Sequence, residues 1–144
     1  MKKAVIAGLA AMAISGCAAT GSNDAIHPQQ LQLQHHRYVL ESVDGTKITT
    51  RTPRQPEISF GENMHVSGQM CNRFMGQGSL SGNTLVVSAM ASSRMMCVDP
   101  QLNQLDGIIS DMLNRGAQIS LAGQQMTLTT PQHTLVWKLS DLVQ

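Results

Sequence analysis

The sequence predicts an α+β fold that is mostly antiparallel β: an incomplete, cracked barrel-like sheet with one packed α-helix. Three observations carry this expectation. From His36 onward the chain breaks into short runs rich in Val, Ile, Leu and Thr, punctuated by Asp-Gly, Ser-Gly-Asn and Gly-Gln, the rhythm of antiparallel hairpins. Only the stretch from Pro100 onward has a long helical periodicity. One helix can cover only one open side of a strongly curved sheet.

Each element follows from its own residues. Residues 29–34 are expected as a short helical lead-in. HRYVLESV, from His36, is strand-like and ends at Asp44-Gly45, a hairpin dipeptide, so KITT is its return strand. RTPRQP, with its prolines and arginines, reads as a surface loop. EISF, GEN and MHVSGQM compose a second hairpin, in which Met64, Val66, Gly68 and Met70 share one face at the strand period. GQGSL and LVVSAM flank Ser81-Gly82-Asn83-Thr84 as a third. Asp99 can cap a helix and Pro100 suits its first turn. Leu102, Leu105, Ile108, Ile109, Met112 and Leu113 then fall on a face of roughly 140°. Gly116 is expected to end the helix as a left-handed cap. Gly107 costs about 1 kcal/mol against Ala and is expected to let the helix approach the sheet closely. AQISLA and MTLTT pair across Gly123-Gln124-Gln125, and HTLVWKLS closes the domain with Leu135, Trp137 and Leu139 on one face. Aromatic residues are only 3% of the chain, so Met and aliphatic side chains must fill the core.

The N-terminus supplies an address. MKKAVIAGLAAMAISGC has a positive start at Lys2 and Lys3 and an apolar run over residues 4–14. That run is too short for a spanning helix, which needs about 20 residues, and has the layout of a secretory signal. It ends Ile14-Ser15-Gly16-Cys17, which resembles the lipobox of bacterial lipoproteins. There the cysteine sulfur takes a diacylglycerol, the signal is cut before it, and the new amine is acylated. The resemblance implies that residues 1–16 are a signal peptide, that Cys17 is lipidated, and that the membrane is a partner through this anchor. Two or more acyl chains give stable attachment. Ala18 follows where an Asp would favour the inner membrane, so the resemblance implies the outer membrane, with the domain in the periplasm. Residues 17–34 are then the acylated N-terminus and a small, polar tether, and 35–144 the domain.

Without its signal the chain would carry eight basic and nine acidic residues. Nothing forms the basic stripe that nucleic acid requires. With Cys17 lipidated, Cys71 and Cys97 remain in an oxidising compartment, where an even pair most often forms a disulfide. Closing that loop stabilises by roughly 3 kcal/mol. The alternative is a reactive pair, with Arg73 or Arg94 favouring a thiolate. Against it, there is no Cys-x-x-Cys, and the helix begins after Cys97 instead of aiming its N-terminus at either sulfur. Zinc needs about four ligands, and Cys71, Cys97 and His65 offer fewer. No metal site and no cofactor motif is expected. A Gly-x-Ser-x-Gly elbow and a phosphate-cradling glycine loop before a helix are both absent from the sequence.

CNRFMGQGSLSGNTLVV and ASSRMMC together resemble the META domain family, in its branch of heat-shock lipoproteins. Gly68, Cys71, Asn72, Arg73 and Phe74 match one family element, Gly-x-x-Cys-Asn-x-aromatic. Arg94, Met95, Met96 and Cys97 match the second, Arg-Met-x-Cys. The likeness extends from about His35 to Leu142 and takes in HRYVLESVDG and PQLNQLD. It implies a small, mostly β fold with one helix, a link to heat or envelope stress, and no established catalytic role.

Asn72, Arg73 and Arg94 are the best polar candidates for a partner or ligand site. The Asn72 amide suits bonding to a turn backbone, and a Cys71–Cys97 bridge would draw the two arginines together, where guanidinium groups bind carboxylate or phosphate. A purely structural role for all three stays open. Met90, Met95 and Met96 are expected as core filling, with an adaptable binding surface as the alternative. His35, His36 and His133 are expected to be solvated. The sequence thus points to a non-enzymatic outer-membrane lipoprotein of the envelope stress response that binds a protein or envelope component. A carrier of an apolar ligand in a barrel cavity and a periplasmic thiol oxidoreductase are the alternatives.

Overall fold

The computed structural model of the chain describes residues 28–49 and 55–142. The signal segment, Cys17, the tether up to residue 27 and most of the RTPRQP loop lie outside the described residues.

Helix α1 (Pro28–Leu33) leads into strand β1 (His36–Val43), which turns at Asp44-Gly45 into the short β2 (Thr46–Lys47). Strands β3 (Glu57–Phe60) and β4 (His65–Gln69) follow, joined through a 3₁₀ turn at Glu62–Met64. Strands β5 (Arg73–Ser81) and β6 (Thr84–Ser92) form the long hairpin. Helix α2 (Pro100–Arg115), then β7 (Ala117–Ala122), β8 (Gln125–Thr129) and β9 (Thr134–Leu142) complete the domain. Every strand pairing is antiparallel.

The sheet is a closed barrel, not the incomplete one that the sequence suggests. β1 pairs with β3 on one side and with β9 on the other, from His36 opposite Leu142 to Val43 opposite Leu135. Eight strands therefore run round without a break, and β2 flanks β1 outside the ring. The expectation failed because periodicity reports which face of a strand is apolar and is silent on which strands meet. One joint is slender: β6 and β7 pair only at Thr84–Gln118 and Leu85–Ala117. Helix α2 packs against β6, beside the part of that strand that β7 does not pair.

The interior is filled. Ile58, Phe60, Val66, Leu85, Met126, Leu128, Leu135 and Trp137 are wholly inaccessible and belong to one core. An eight-stranded ring is just wide enough for side chains to fill, and each such residue contributes about 1.5–3 kcal/mol on burial. From the helix, Leu102, Leu105, Ile109, Met112 and Leu113 join this core, with Ile108 at its margin. Inward-facing glycine makes room for larger neighbours. A Cβ on Gly68 would lie 2.5 Å from the Glu57 carbonyl oxygen and would run into the Phe74 ring.

The helix ends as its sequence suggests at one terminus and differs at the other. The Asp99 carboxylate accepts the Gln101 N–H at 2.9 Å, with Pro100 next to the cap. Gly116 has positive φ (102°), but its ψ of 133° is extended, so the chain passes straight into β7 without a left-handed α turn. Gly107 does not mediate helix–sheet approach, because it is exposed and a Cβ there would meet nothing within 4 Å.

Candidate functional site

The two sequence elements meet where β4 turns into β5 and the chain leaves β6 for α2. Cys71 and Cys97 are joined as a disulfide with Cα atoms 5.8 Å apart. Cys71 is buried and Cys97 is packed against the core. The sulfurs are thus taken by each other, and the described residues hold no cluster of three or more metal-ligating side chains.

Asn72 is the hub. Its Oδ1 accepts the Met95 N–H at 2.6 Å and the Ser93 hydroxyl at 3.0 Å. Its Nδ2 donates to the Met95 carbonyl at 3.0 Å and to Asp106 Oδ2 at 2.7 Å. The sequence led to an amide bonding a turn backbone, and the backbone it holds is that of Met95. Asp106 completes the arrangement from α2: its Oδ1 accepts the backbone N–H groups of both Cys71 and Asn72 at 3.0 Å. Asn103, one helical turn earlier, takes the Cys97 N–H on Oδ1 at 3.0 Å and donates from Nδ2 to the Cys97 carbonyl at 2.8 Å. Side-chain amides and a carboxylate therefore satisfy the backbone N–H groups of Cys71 and Asn72 and both backbone groups of Met95 and Cys97.

Asp106 and Asn103 were missed in the sequence. The available signal was positional. Asp106 lies about 20° beyond the edge of the apolar face of α2, closer to the core than a solvated carboxylate needs to be.

This scaffold presents an apolar and cationic surface. Arg73 and Arg94 are both exposed, and they lie close together because the Arg73 carbonyl accepts the Ser93 N–H at 3.0 Å. Met95 is 63% exposed, Met96 87% and Val98 fully so. Met75, on the outward face of β5 shared with Arg73, is 51% exposed. Of the three methionines expected as core filling, only Met90 packs against the core. Met95 and Met96 stand outside on a segment whose backbone is held at Met95 by Asn72 and at Cys97 by Asn103.

The remaining sequence candidates are dispersed. His65 is exposed on β4. His35 is exposed, and the His36 ring nitrogen lies 2.8 Å from the Gln34 carbonyl. His133 is not simply solvated: its Nδ1 lies 2.8 Å from Asp44 Oδ2. That contact and the Thr134 N–H donated to Asp44 Oδ1 at 2.7 Å hold the Asp44 carboxyl below its ordinary value of 3.8.

Comparison with known proteins agrees with this architecture. Residues 30–141 match the model of the META domain. Heat shock protein HslJ of Escherichia coli (strain K12) is 50% identical over 143 residues, covering 99% of each chain. A protein solved by NMR is 54% identical, with a TM-score of 0.73 over 78% of this chain and 95% of its own. An NMR structure of a protein from Burkholderia xenovorans shares the fold at 23% identity, with a TM-score of 0.62 over 83% of this chain and 96% of that one. With the paired motif joined by the disulfide and the family model spanning the whole barrel, this chain belongs to the META domain family.

Proposed function

We propose that this protein is a non-enzymatic lipoprotein of the outer membrane. It is anchored through acylated Cys17, faces the periplasm, and serves the envelope's response to heat stress by binding a protein or envelope component. The binding surface is the one around Asn72, Arg73 and Arg94, with Asn72 setting its shape and the two arginines making contact. The carrying observation is the loop from Arg94 to Val98. It bears exposed apolar side chains beside two exposed cations and is fastened by a disulfide and side-chain hydrogen bonds. A surface ordered in advance loses little entropy when it binds. The stress role draws on the similarity to Heat shock protein HslJ. The polar groups at the site suit a scaffold more than a reaction, since Asp106, Asn72 and Asn103 are engaged in holding backbone. A ligand carrier fits less well, because the side chains inside the barrel are buried and pack into one core.

The test is cross-linking and affinity capture of the full-length protein from membranes, before and after heat stress. Wild type should recover a defined component that the Arg73→Glu, Arg94→Glu double variant loses. Recovery of nothing above background in either condition counts against the reading, as does an intact mass showing Cys17 without acyl chains.

A further inference from the structure

We infer that the loop from Arg94 to Val98, with Arg73, docks on the surface of a bilayer containing anionic phospholipid. This deepens the functional reading above and rests on it, because it requires the Cys17 anchor. The occupant follows from shape, charge and reach.

Shape comes first. Val98 is as exposed as in an extended chain and Met96 is 87% exposed, so both project beyond the protein surface. A protein partner would ordinarily grip such a site through a hollow that takes its anchoring side chain. A hollow beside the loop, between α2 and β6 and lined in part by Asn72, Phe74, Met90 and Asp106, measures only about 50 Å³. That is far below the roughly 300 Å³ at which ligand pockets begin. A protruding apolar tip matches a soft, insertable surface instead, where Met and Val enter the acyl boundary.

Charge comes next. Arg73 and Arg94 flank the tip. The neighbouring carboxylates keep their charge but turn their oxygens into the fold, Asp106 toward backbone and amide donors and Asp99 toward the helix N-terminus, while both arginines are exposed. The tip therefore presents two guanidinium groups at headgroup depth around an apolar point. Guanidinium pairs with phosphate through two parallel hydrogen bonds, and basic residues near an anionic leaflet are drawn to it.

Reach completes the argument. Ten residues separate Cys17 from Pro28, so the two are at most about 40 Å apart along an extended chain. A domain of this size has a radius of gyration of about 13 Å, so any of its faces can meet the bilayer that holds the anchor. The tether also keeps the loop at high local concentration near the lipid, so weak contacts suffice.

The experiment uses the full-length acylated protein, labelled at methionine methyl groups, in vesicles of phosphatidylethanolamine with phosphatidylglycerol. A spin label carried on the lipid chains should broaden the Met95 and Met96 signals severalfold more than that of Met126, which is wholly buried in the barrel. The difference should vanish for the Arg73→Glu, Arg94→Glu double variant and in vesicles of phosphatidylethanolamine with phosphatidylcholine. If Met95 and Met96 escape the lipid label and stay open to a water-soluble paramagnet, the inference is overturned. If they become shielded only in vesicles made with native outer-membrane proteins, the loop binds protein: the inference falls and the broader functional reading stands. An intact mass without acyl chains on Cys17 removes both.

Discussion

The carboxylate of Asp106 and the amide of Asn72 meet at 2.7 Å, and the same carboxylate accepts the Asn72 backbone N–H at 3.0 Å. This pair ties the β4–β5 turn to helix α2, and through Asn72 it fixes the backbone at Met95. Asp106→Ala leaves the N–H groups of Cys71 and Asn72 without their acceptor. It should cost about 3 kcal/mol, because each orphaned donor loses its partner without regaining full hydration. Asp106→Asn keeps one acceptor oxygen and should cost less. Urea unfolding of both variants, followed through the fluorescence of buried Trp137, measures the difference. Equal stability of the wild type and Asp106→Ala would show that the carboxylate does not hold this junction.

The Cys71–Cys97 bridge closes a loop of sequence separation 26. Replacing both cysteines with serine should lower stability by roughly 3 kcal/mol on the chain-entropy model. The fold itself should persist, since Asn72 and Asn103 hold the same segments independently. Far-UV circular dichroism and chemical denaturation distinguish loss of stability from loss of structure.

Two glycines should respond in opposite directions to the same substitution. Gly107→Ala adds a methyl group in open space on an exposed helix position and should stabilise by up to about 1 kcal/mol. Gly68→Ala forces a Cβ against the Glu57 carbonyl and the Phe74 ring and should destabilise by about 2 kcal/mol or more. Thermal melts of the two variants against wild type should therefore move apart.

Asp44 makes stability depend on acid. Its folded-state value is lowered by the His133 hydrogen bond first, then by the Thr134 backbone N–H and by the charge of His133. The unfolded chain takes up this proton more readily than the folded one. The contribution is therefore present above about pH 4 and is lost as pH falls through the folded-state value. Denaturation profiles at about pH 5 and at about pH 2 should show a smaller acid loss for Asp44→Asn than for wild type. An NMR titration of the Asp44 carboxyl should give a midpoint below 3.8.

Much of this architecture was legible in the residues themselves. Local rules act over a few positions: Asp44-Gly45 favours a turn, Asp99-Pro100 favours a helix start, and a period-two run such as Met64 to Met70 places one face on the core. The pairing of Cys71 with Cys97 was likewise within reach of counting. What only the tertiary structure decided are contacts between distant parts of the chain. The β1–β9 pairing that closes the barrel joins its first and last strands, and no local pattern encodes that choice. Asp106 reads as one more polar helix residue until folding places it 34 positions back along the chain, at Asn72. The outward stance of Met95 and Met96 also depends on contacts the local pattern does not show: their side chains are apolar, yet their segment is held at the Met95 backbone by distant Asn72 and at the Cys97 backbone by Asn103.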